Sequence, residues 1–408
     1  MGGAQSGPVP LTVLLAVILA ASSSTIESDL SRAVRVGGVH VEDDSGTVLV
    51  SWHSDDARTP ASVLKLATAA VALHVLGADT RVTTDFVYDP VTRELCVVGG
   101  GDPFIVTESL RRAADSLQAR GIADVSALSA DCGLFIQPLN VDGQGASGNP
   151  YDAAISAFSV NFNAVAVSIG ARAKVEAGEP ETPLTPMART MAKRVGRRGV
   201  HRLPILDGAV AAPMYGLELL REILRERGIV VGDSIALGPC QSDSAITYRH
   251  ASQQTASGSV AAMLEYSNNV IANTLLLTAA ARDLGRPVGI ADAAALLDRF
   301  LTEELGLKGC VVMEGSGLSR ANRMTPRNVV SVLHHLRNHG HDWLLPLHEG
   351  VRAKTGTLNG VTCLAGYLNL ADGRVASFAV LLEGGIGLRD RVLGILCERL
   401  GAVRETVQ

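Results

Sequence analysis

The sequence predicts an α+β protein: an antiparallel sheet flanked by helices, assembled from both ends of the chain, with strand-rich insertions between. Three observations predict it. Near the front, residues 36–56 place two Val-rich runs around the polar turn Asp43-Asp44-Ser45-Gly46, and an apolar helical run follows. Near the back, VTCLAGYLNL and VASFAVLLE flank an Ala-Asp-Gly turn and lead into a last helix from Leu388. Between them, short strands punctuated by glycine alternate with amphipathic helices.

Taken in order, the chain opens on an apolar run, residues 11–21, followed by Ser22-Ser23-Ser24. The run is too short to span a bilayer and matches the apolar stretch of an export signal, so residues 1–24 are read as a signal peptide and the protein as periplasmic or otherwise extracytoplasmic. No Lys or Arg precedes the run; a buried N-terminal helix is the alternative, and Pro10 opposes it. The hairpin of 36–56 comes next, then a helix predicted over 62–76 and ended by Gly77. From Arg81 the pattern turns to strands and glycine turns, TDFVYDPVTRELCVVGGGDP, and then to the helix SLRRAADSLQARG. Two loop-like stretches, VDGQGASGNPYD and EAGEPETPLTP, precede the amphipathic helix MYGLELLREILRERGI. The segment GSVAAMLEYSNNVIANTLLLTAA reads as one further helix. The resulting division is 25–80 and 245–408 for the sheet-bearing part, with 81–155 and 156–244 inserted.

Composition narrows the function. Of 408 residues, 47% are hydrophobic and only 4% aromatic, so the core is built from Ala, Val and Leu. The net charge of −5 offers no basic face, and nucleic acid is not an expected partner. Six cysteines, Cys96, Cys132, Cys240, Cys310, Cys363 and Cys397, form no C-x-x-C pair and allow fifteen full disulfide pairings, among which sequence does not choose. Half of the histidines crowd into HHLRNHGHDWLLPLH. His335 and His339 have a spacing zinc can use on a helix, but no H-E-x-x-H accompanies them and histidine is ordinary near a helix C-terminus. The reading is a surface helix, with no metal and no cofactor.

The chemistry begins at TPASVLKLATAAVAL. A helix starting near Ser62 sets Ser62 and Lys65 one turn apart on one face, at the end where unpaired N–H groups favour developing negative charge. Burial of Lys65 lowers its pKa and makes a neutral amine available beside a hydroxyl. By itself this signal is weak, because Ser62 also fits a plain N-cap and Lys65 a snorkelling side chain. Two further elements follow in order. Ser267-Asn268-Asn269 sits inside an apolar helical segment, where buried amides need a purpose; Lys354-Thr355-Gly356-Thr357 sits on a strand that runs into a glycine turn. The three together spell S-x-x-K, S-x-N and K-T-G.

With PASVLKL, GGGDP (99–103), SAFSVNFNAVAV (156–167), GSGLSRANRMTP (315–326) and AKTGTLNGV (353–361), the chain from Val36 onward resembles the D-alanyl-D-alanine carboxypeptidase/endopeptidase family, the class C low-molecular-mass penicillin-binding proteins of DacB type. The resemblance implies a serine β-lactamase/transpeptidase-like domain with inserted domains. The gap from Ser62 to Ser267, more than twice that from Ser267 to Lys354, agrees with it. It also implies a serine D-Ala-D-Ala carboxypeptidase or endopeptidase acting on peptidoglycan stem peptides, with β-lactams as covalent inhibitors. Catalysis then falls to Ser62 as nucleophile, Lys65 as base, Ser267 as proton relay, Asn269 and Lys354; Thr355, Gly356 and Thr357 bind substrate, and Ser62 and Thr357 N–H groups form the oxyanion hole. Tyr266-Ser267-Asn268 also spells the Y-S-N of class C β-lactamases; the S-x-N register leaves Tyr266 structural. A β-lactamase and a non-catalytic peptidoglycan-binding scaffold are the rival readings. No class A deacylation element accompanies the first, and the complete reactive set opposes the second. The chain departs from the family pattern in the short segment between Pro346 and Lys354 and in Glu314, where Asp is usual. Oligomeric state is not set by any of these features.

Overall fold

A computed structural model describes residues 25–240 and 245–405. The leader predicted over 1–24 lies outside the described residues. The path begins with α1 (Ile26–Ala33), β1 (Gly37–Asp43) and β2 (Val48–Trp52), then a 3₁₀ turn, Ala61–Leu64, that runs into α2 (Lys65–Leu76). The middle holds β3 (Thr83–Tyr88), β4 (Glu94–Val98), α3 (Thr107–Ala119), β5 (Asp124–Asp131), β6 (Ala164–Ile169), β7 (Val175–Ala177), α4 (Pro186–Ala192), β8 (Gly199–Pro204), α5 (Ala211–Glu226), β9 (Val230–Leu237) and β10 (Tyr248–Ala251). The last stretch runs through α6 (Ala256–Glu265), α7 (Asn269–Leu284), α8 (Ile290–Arg299), α9 (Pro326–Asn338), β11 (Leu347–His348), β12 (Val351–Leu358), β13 (Val361–Leu370), β14 (Val375–Glu383), α10 (Gly387–Leu400) and β15 (Ala402–Val403).

Sheet order shows how the ends meet. One antiparallel sheet runs β11-β12-β13-β14-β1-β2, with β15 on β13, so β1 pairs with β14 in a register that sets Gly37 opposite Leu382. The middle of the chain builds two further sheets, β10-β3-β4-β5-β9 and β7-β6-β8. In the first sheet successive side chains go to opposite faces. Leu364, Leu368, Phe378 and Val380 pack with residues of α1 and α10, whereas Cys363, Ala365, Tyr367 and Leu381 pack with residues of α2, α7 and α9. Both faces are therefore covered, which is why β13 and β14 read as nearly continuous apolar runs. α2 is apolar on every side for the same reason: from Lys65 to Leu73 each residue is buried.

Two predicted elements are corrected. The helix expected over 62–76 is α-helical only from Lys65, and Ser62 belongs to the 3₁₀ turn before it. Ala61 enters that turn at φ 47°, and the tighter winding eclipses positions three apart. The single helix expected through Ser267 is two. Tyr266 N–H closes α6 on the Ala262 carbonyl, Ser267 takes a left-handed φ of 51°, and Asn268 caps α7 by accepting from Ile271 N–H at 3.0 Å. Ser and Asn offer the backbone local partners, and that competition breaks the helix.

The cysteines form one disulfide among the described residues, Cys96–Cys240, which ties β4 to the segment after β9. Among the described residues no helix is long and apolar enough to cross a membrane.

Candidate active site

Ser62 stands at the mouth of a pocket of about 430 Å3, and Lys65 lies buried behind it. The 3₁₀ turn aims both side chains the same way, so Lys65 Nζ lies 3.1 Å from Ser62 Oγ. Two acceptors hold the amine from the other side, Asn269 Oδ1 at 2.8 Å and the Ser316 carbonyl at 2.7 Å. A neutral amine has two N–H groups and one lone pair. With two acceptors behind it, its lone pair is left for the Ser62 hydroxyl. Burial pulls the Lys65 pKa down to about 7; the nearby positive charge of Lys354 adds to this, and the carboxylate of Glu314 opposes it.

Lys354 comes from β12 and is also buried, with Nζ donating to the Thr355 carbonyl at 2.9 Å. Burial, then the Arg389 guanidinium, lowers its pKa to about 8. Beyond its short pairing with β11 at Val351 and Arg352 and the Ala353 N–H bond to the Pro346 carbonyl, β12 pairs with no strand but β13 among the described residues, so from Lys354 to Leu358 its other edge carries no strand. The strand approaches the serine turn closely. A Cβ on Gly356 would lie 2.9 Å from the Pro60 carbonyl oxygen and 3.1 Å from Ser62 N, and one on Gly317, at φ +83°, only 1.9 Å from the Ala61 carbonyl oxygen. Glycine at both places is what lets β12 and the 314–322 loop pack against the turn that carries Ser62.

The structure thus brings Ser62, Lys65, Asn269 and Lys354 together through contact or charge, and places Ser267 and Thr357 on the pocket wall. The three polar groups around Lys65 Nζ are Ser62, Asn269 and Ser316; the Ser267 hydroxyl is not one of them. Thr357 Oγ1 accepts from Arg389 Nη1 at 2.9 Å, and Gly356 is buried against the serine turn. Tyr266, expected to be structural, is 77% exposed and packs into no core.

Several residues at the site were given no role by the sequence, Glu314 among them although its departure from the family pattern is legible there. Glu314 is fully buried and accepts from the N–H groups of Ser316 (2.6 Å) and Gly317 (2.7 Å), and from the amides of Asn322 (2.9 Å) and Asn273 (3.2 Å). It winds the loop that presents the Ser316 carbonyl to Lys65. Asn273 Oδ1 accepts from Gly315 N–H at 2.7 Å and ties the same loop to α7. Arg389 reaches the site from α10, and Tyr151 from the 141–152 loop, where its carbonyl accepts from Asn269 Nδ2 at 3.2 Å. The GSGLSR segment was a signal for the first group; nothing local marks Arg389. Among the described residues no set of three His, Cys, Asp or Glu side chains is placed to hold a metal.

A serine on a helix entry, a buried lysine in contact with it and a second lysine on the facing strand define a class of serine acyl-transfer enzymes. The model of the D-Ala-D-Ala carboxypeptidase 3 (S13) family matches residues 21–198, 204–349 and 342–392, and the chain belongs to that family of serine D-Ala-D-Ala carboxypeptidases. It is 27% identical to a D-alanyl-D-alanine carboxypeptidase of an Actinomadura species, over 86% of this chain and 78% of that protein. To the carboxypeptidase DacB of Mycolicibacterium smegmatis it is 26% identical over 92% and 81%. In fold it matches penicillin-binding protein 4 (DacB) of Haemophilus influenzae with a TM-score of 0.76, at 19% identity, covering 88% of this chain and 94% of that one.

Proposed function

We propose that the pocket at Ser62 hydrolyses the terminal D-Ala-D-Ala bond of peptidoglycan stem peptides through an acyl-enzyme, and that β-lactams acylate the same serine. The observation that carries this reading is the 3.1 Å contact between Ser62 Oγ and a buried lysine whose other partners are both acceptors. Lys65 takes the Ser62 proton as the oxygen attacks the penultimate carbonyl. The N–H groups of Ser62 and Thr357 receive the oxyanion, at about 3 kcal/mol for a donor of this kind. Ser267 relays the proton to the leaving amine. Asn269 holds Lys65 with its oxygen and has a second amide N–H for the substrate carbonyl. Lys354, with Thr355 and Thr357, binds the terminal carboxylate, and Arg389 orients Thr357 for it. The open edge of β12 suits an extended peptide laid alongside as a further strand. The predicted leader and the Cys96–Cys240 bridge both fit an extracytoplasmic, oxidising location.

Intact mass after incubation with benzylpenicillin tests the reading, with drug loss followed in parallel. We expect one drug adduct on the wild-type chain and none on Ser62→Ala, which keeps its fold. Turnover by Ser62→Ala would sink the assignment, and rapid drug loss without adduct would identify a β-lactamase instead.

A further inference from the structure

The net charge of −5 conceals a stretch of the opposite sign. Between Glu181 and Asp207 there is no Asp or Glu, while α4, β8 and the loop joining them carry Arg189, Lys193, Arg194, Arg197, Arg198 and Arg202.

The fold gathers these cations. α4 puts Ala188 and Ala192 into the core that also holds Val165 and Val167 of β6, so Arg189 and Lys193, one position on and four residues apart, share an outward flank. The chain then stays wound, with Arg194 N–H on the Met191 carbonyl and Val195 N–H on the Ala192 carbonyl, both at 3.0 Å. His201 Nε2 donates to the Arg197 carbonyl at 3.1 Å and holds the approach to β8 against the strand. β8 enters its sheet at Gly199, opposite Ile169, the last residue of β6. The turn from β6 to β7 lies at that same end and carries Arg172 at its tip, at a left-handed φ of 54°. Two separate segments thus bring Arg172, Arg197 and Arg198 to one end of the small sheet, with Lys193 and Arg194 on the loop that leads into it.

These side chains are exposed and lack partners of opposite charge. At the margins Lys174 pairs with Glu176 at 2.6 Å, and Arg202 with Glu179. Among the described residues Arg172, Arg189, Lys193, Arg194, Arg197 and Arg198 form no ion pair. Elsewhere the same chain pairs its surface arginines, Arg225 with Glu222 and Arg249 with Asp85 among them. Like charges held together repel one another, and a surface of fixed negative charge relieves that repulsion. Guanidinium groups match phosphate through paired N–H bonds. Val200, between Arg198 and Arg202, is 68% exposed. A dissolved polyanion has no place for it, whereas the boundary beneath a layer of lipid headgroups does.

We propose that this end of the small sheet docks on a membrane surface rich in anionic phospholipid, its arginines on headgroup phosphates and Val200 set between them. None of these residues lines the Ser62 pocket, and they belong to the core of the middle sheets rather than to that of α2. The inference goes beyond the reaction proposed above and does not depend on it.

Sedimentation of the full chain with vesicles of about 30% phosphatidylglycerol in phosphatidylcholine tests this, beside vesicles of phosphatidylcholine alone. The variants are Arg194→Gln/Arg197→Gln/Arg198→Gln, Val200→Ser, and a control of equal charge, Arg35→Gln/Arg282→Gln/Lys308→Gln, whose cations are exposed on other parts of the chain. Wild type is expected to bind the anionic vesicles alone and to come off them in about 0.5 M salt. The first variant is expected to lose about 100-fold in affinity, roughly five-fold for each charge. Val200→Ser loses about three-fold or more, and the control stays within about two-fold. Each variant keeps the wild-type circular dichroism melt, since every substituted side chain is exposed. No binding by wild type, unchanged binding by the first variant, or equal losses in that variant and the control overturns the proposal. So does binding of long-chain polyphosphate in solution that equals vesicle binding and is indifferent to Val200→Ser, which would assign the patch to a soluble polyanion.

Discussion

At the scale of single residues, the proposed mechanism lets two buried amines of like charge set the working pH. In it Lys65 serves as base only when neutral, and Lys354 serves the carboxylate only when charged. Their pKa values, about 7 and about 8, leave a narrow band in which both conditions hold. Raising pH through 7 deprotonates Lys65 and speeds acylation; raising it through 8 discharges Lys354 and slows it. We therefore expect a bell-shaped profile of acylation by benzylpenicillin with its maximum at about pH 7.5, its limbs belonging to the pair of lysines rather than to either alone. Stopped-flow acylation from pH 5.5 to 9.5 measures it, and a rate that climbs past pH 9 would remove Lys354 from the charged role. Ser62, Lys65 and Lys354 were legible in the sequence because the chemistry demands those side chains within motifs of fixed spacing. The Ser316 carbonyl, Glu314 and Arg389 were not, because each acts on a motif residue far away in sequence. Only the folded loop and α10 bring them to it.

At the scale of elements, the sequence pattern located the hairpin, the edge strand β12 and the closing strands well, since alternation and glycine turns are local signals. It missed the two irregular pieces that make the site. An unbroken apolar run conceals both the 3₁₀ start before α2 and the break at Ser267, because a segment buried on nearly every side has no periodic face whose shift would mark a change of winding. Both irregularities place a serine, Ser62 and Ser267, on the pocket wall. The contact of β12 with the serine turn is equally exacting. In Gly356→Ala the new methyl group would crowd the Pro60 oxygen and Ser62 N, pushing the nucleophile away from β12. We expect a folded protein, by its circular dichroism melt, whose acylation is slower by about 100-fold, the cost of roughly an ångström of misplacement. Wild-type acylation in that variant would show that the strand gives way without moving the serine.

At the scale of the whole molecule, the disulfide belongs to the middle sheet, whereas the turn carrying Ser62 packs against β12 of the sheet of the two ends. Cys96–Cys240 closes a loop of 144 residues, worth about 5 kcal/mol on the chain-entropy account. Neither cysteine lines the Ser62 pocket. Reduction is expected to lower a melting transition in calorimetry while leaving acylation at 25 °C unchanged. Loss of acylation on reduction would mean that the middle sheet holds the pocket in shape.

The pairing of β1 with β14 also fixes an order of events. A ribosome delivers the serine and its neighbouring lysine early, yet β1 has no partner on that side until residues 375–383 have emerged. Lys354 and the open strand edge arrive nearly as late. Contacts this distant in sequence form last and slowly. A chain still being synthesised therefore carries Ser62 and Lys65 without their counter-strand, and on the proposed mechanism it is chemically silent. The protein becomes an enzyme only once its own tail has come home.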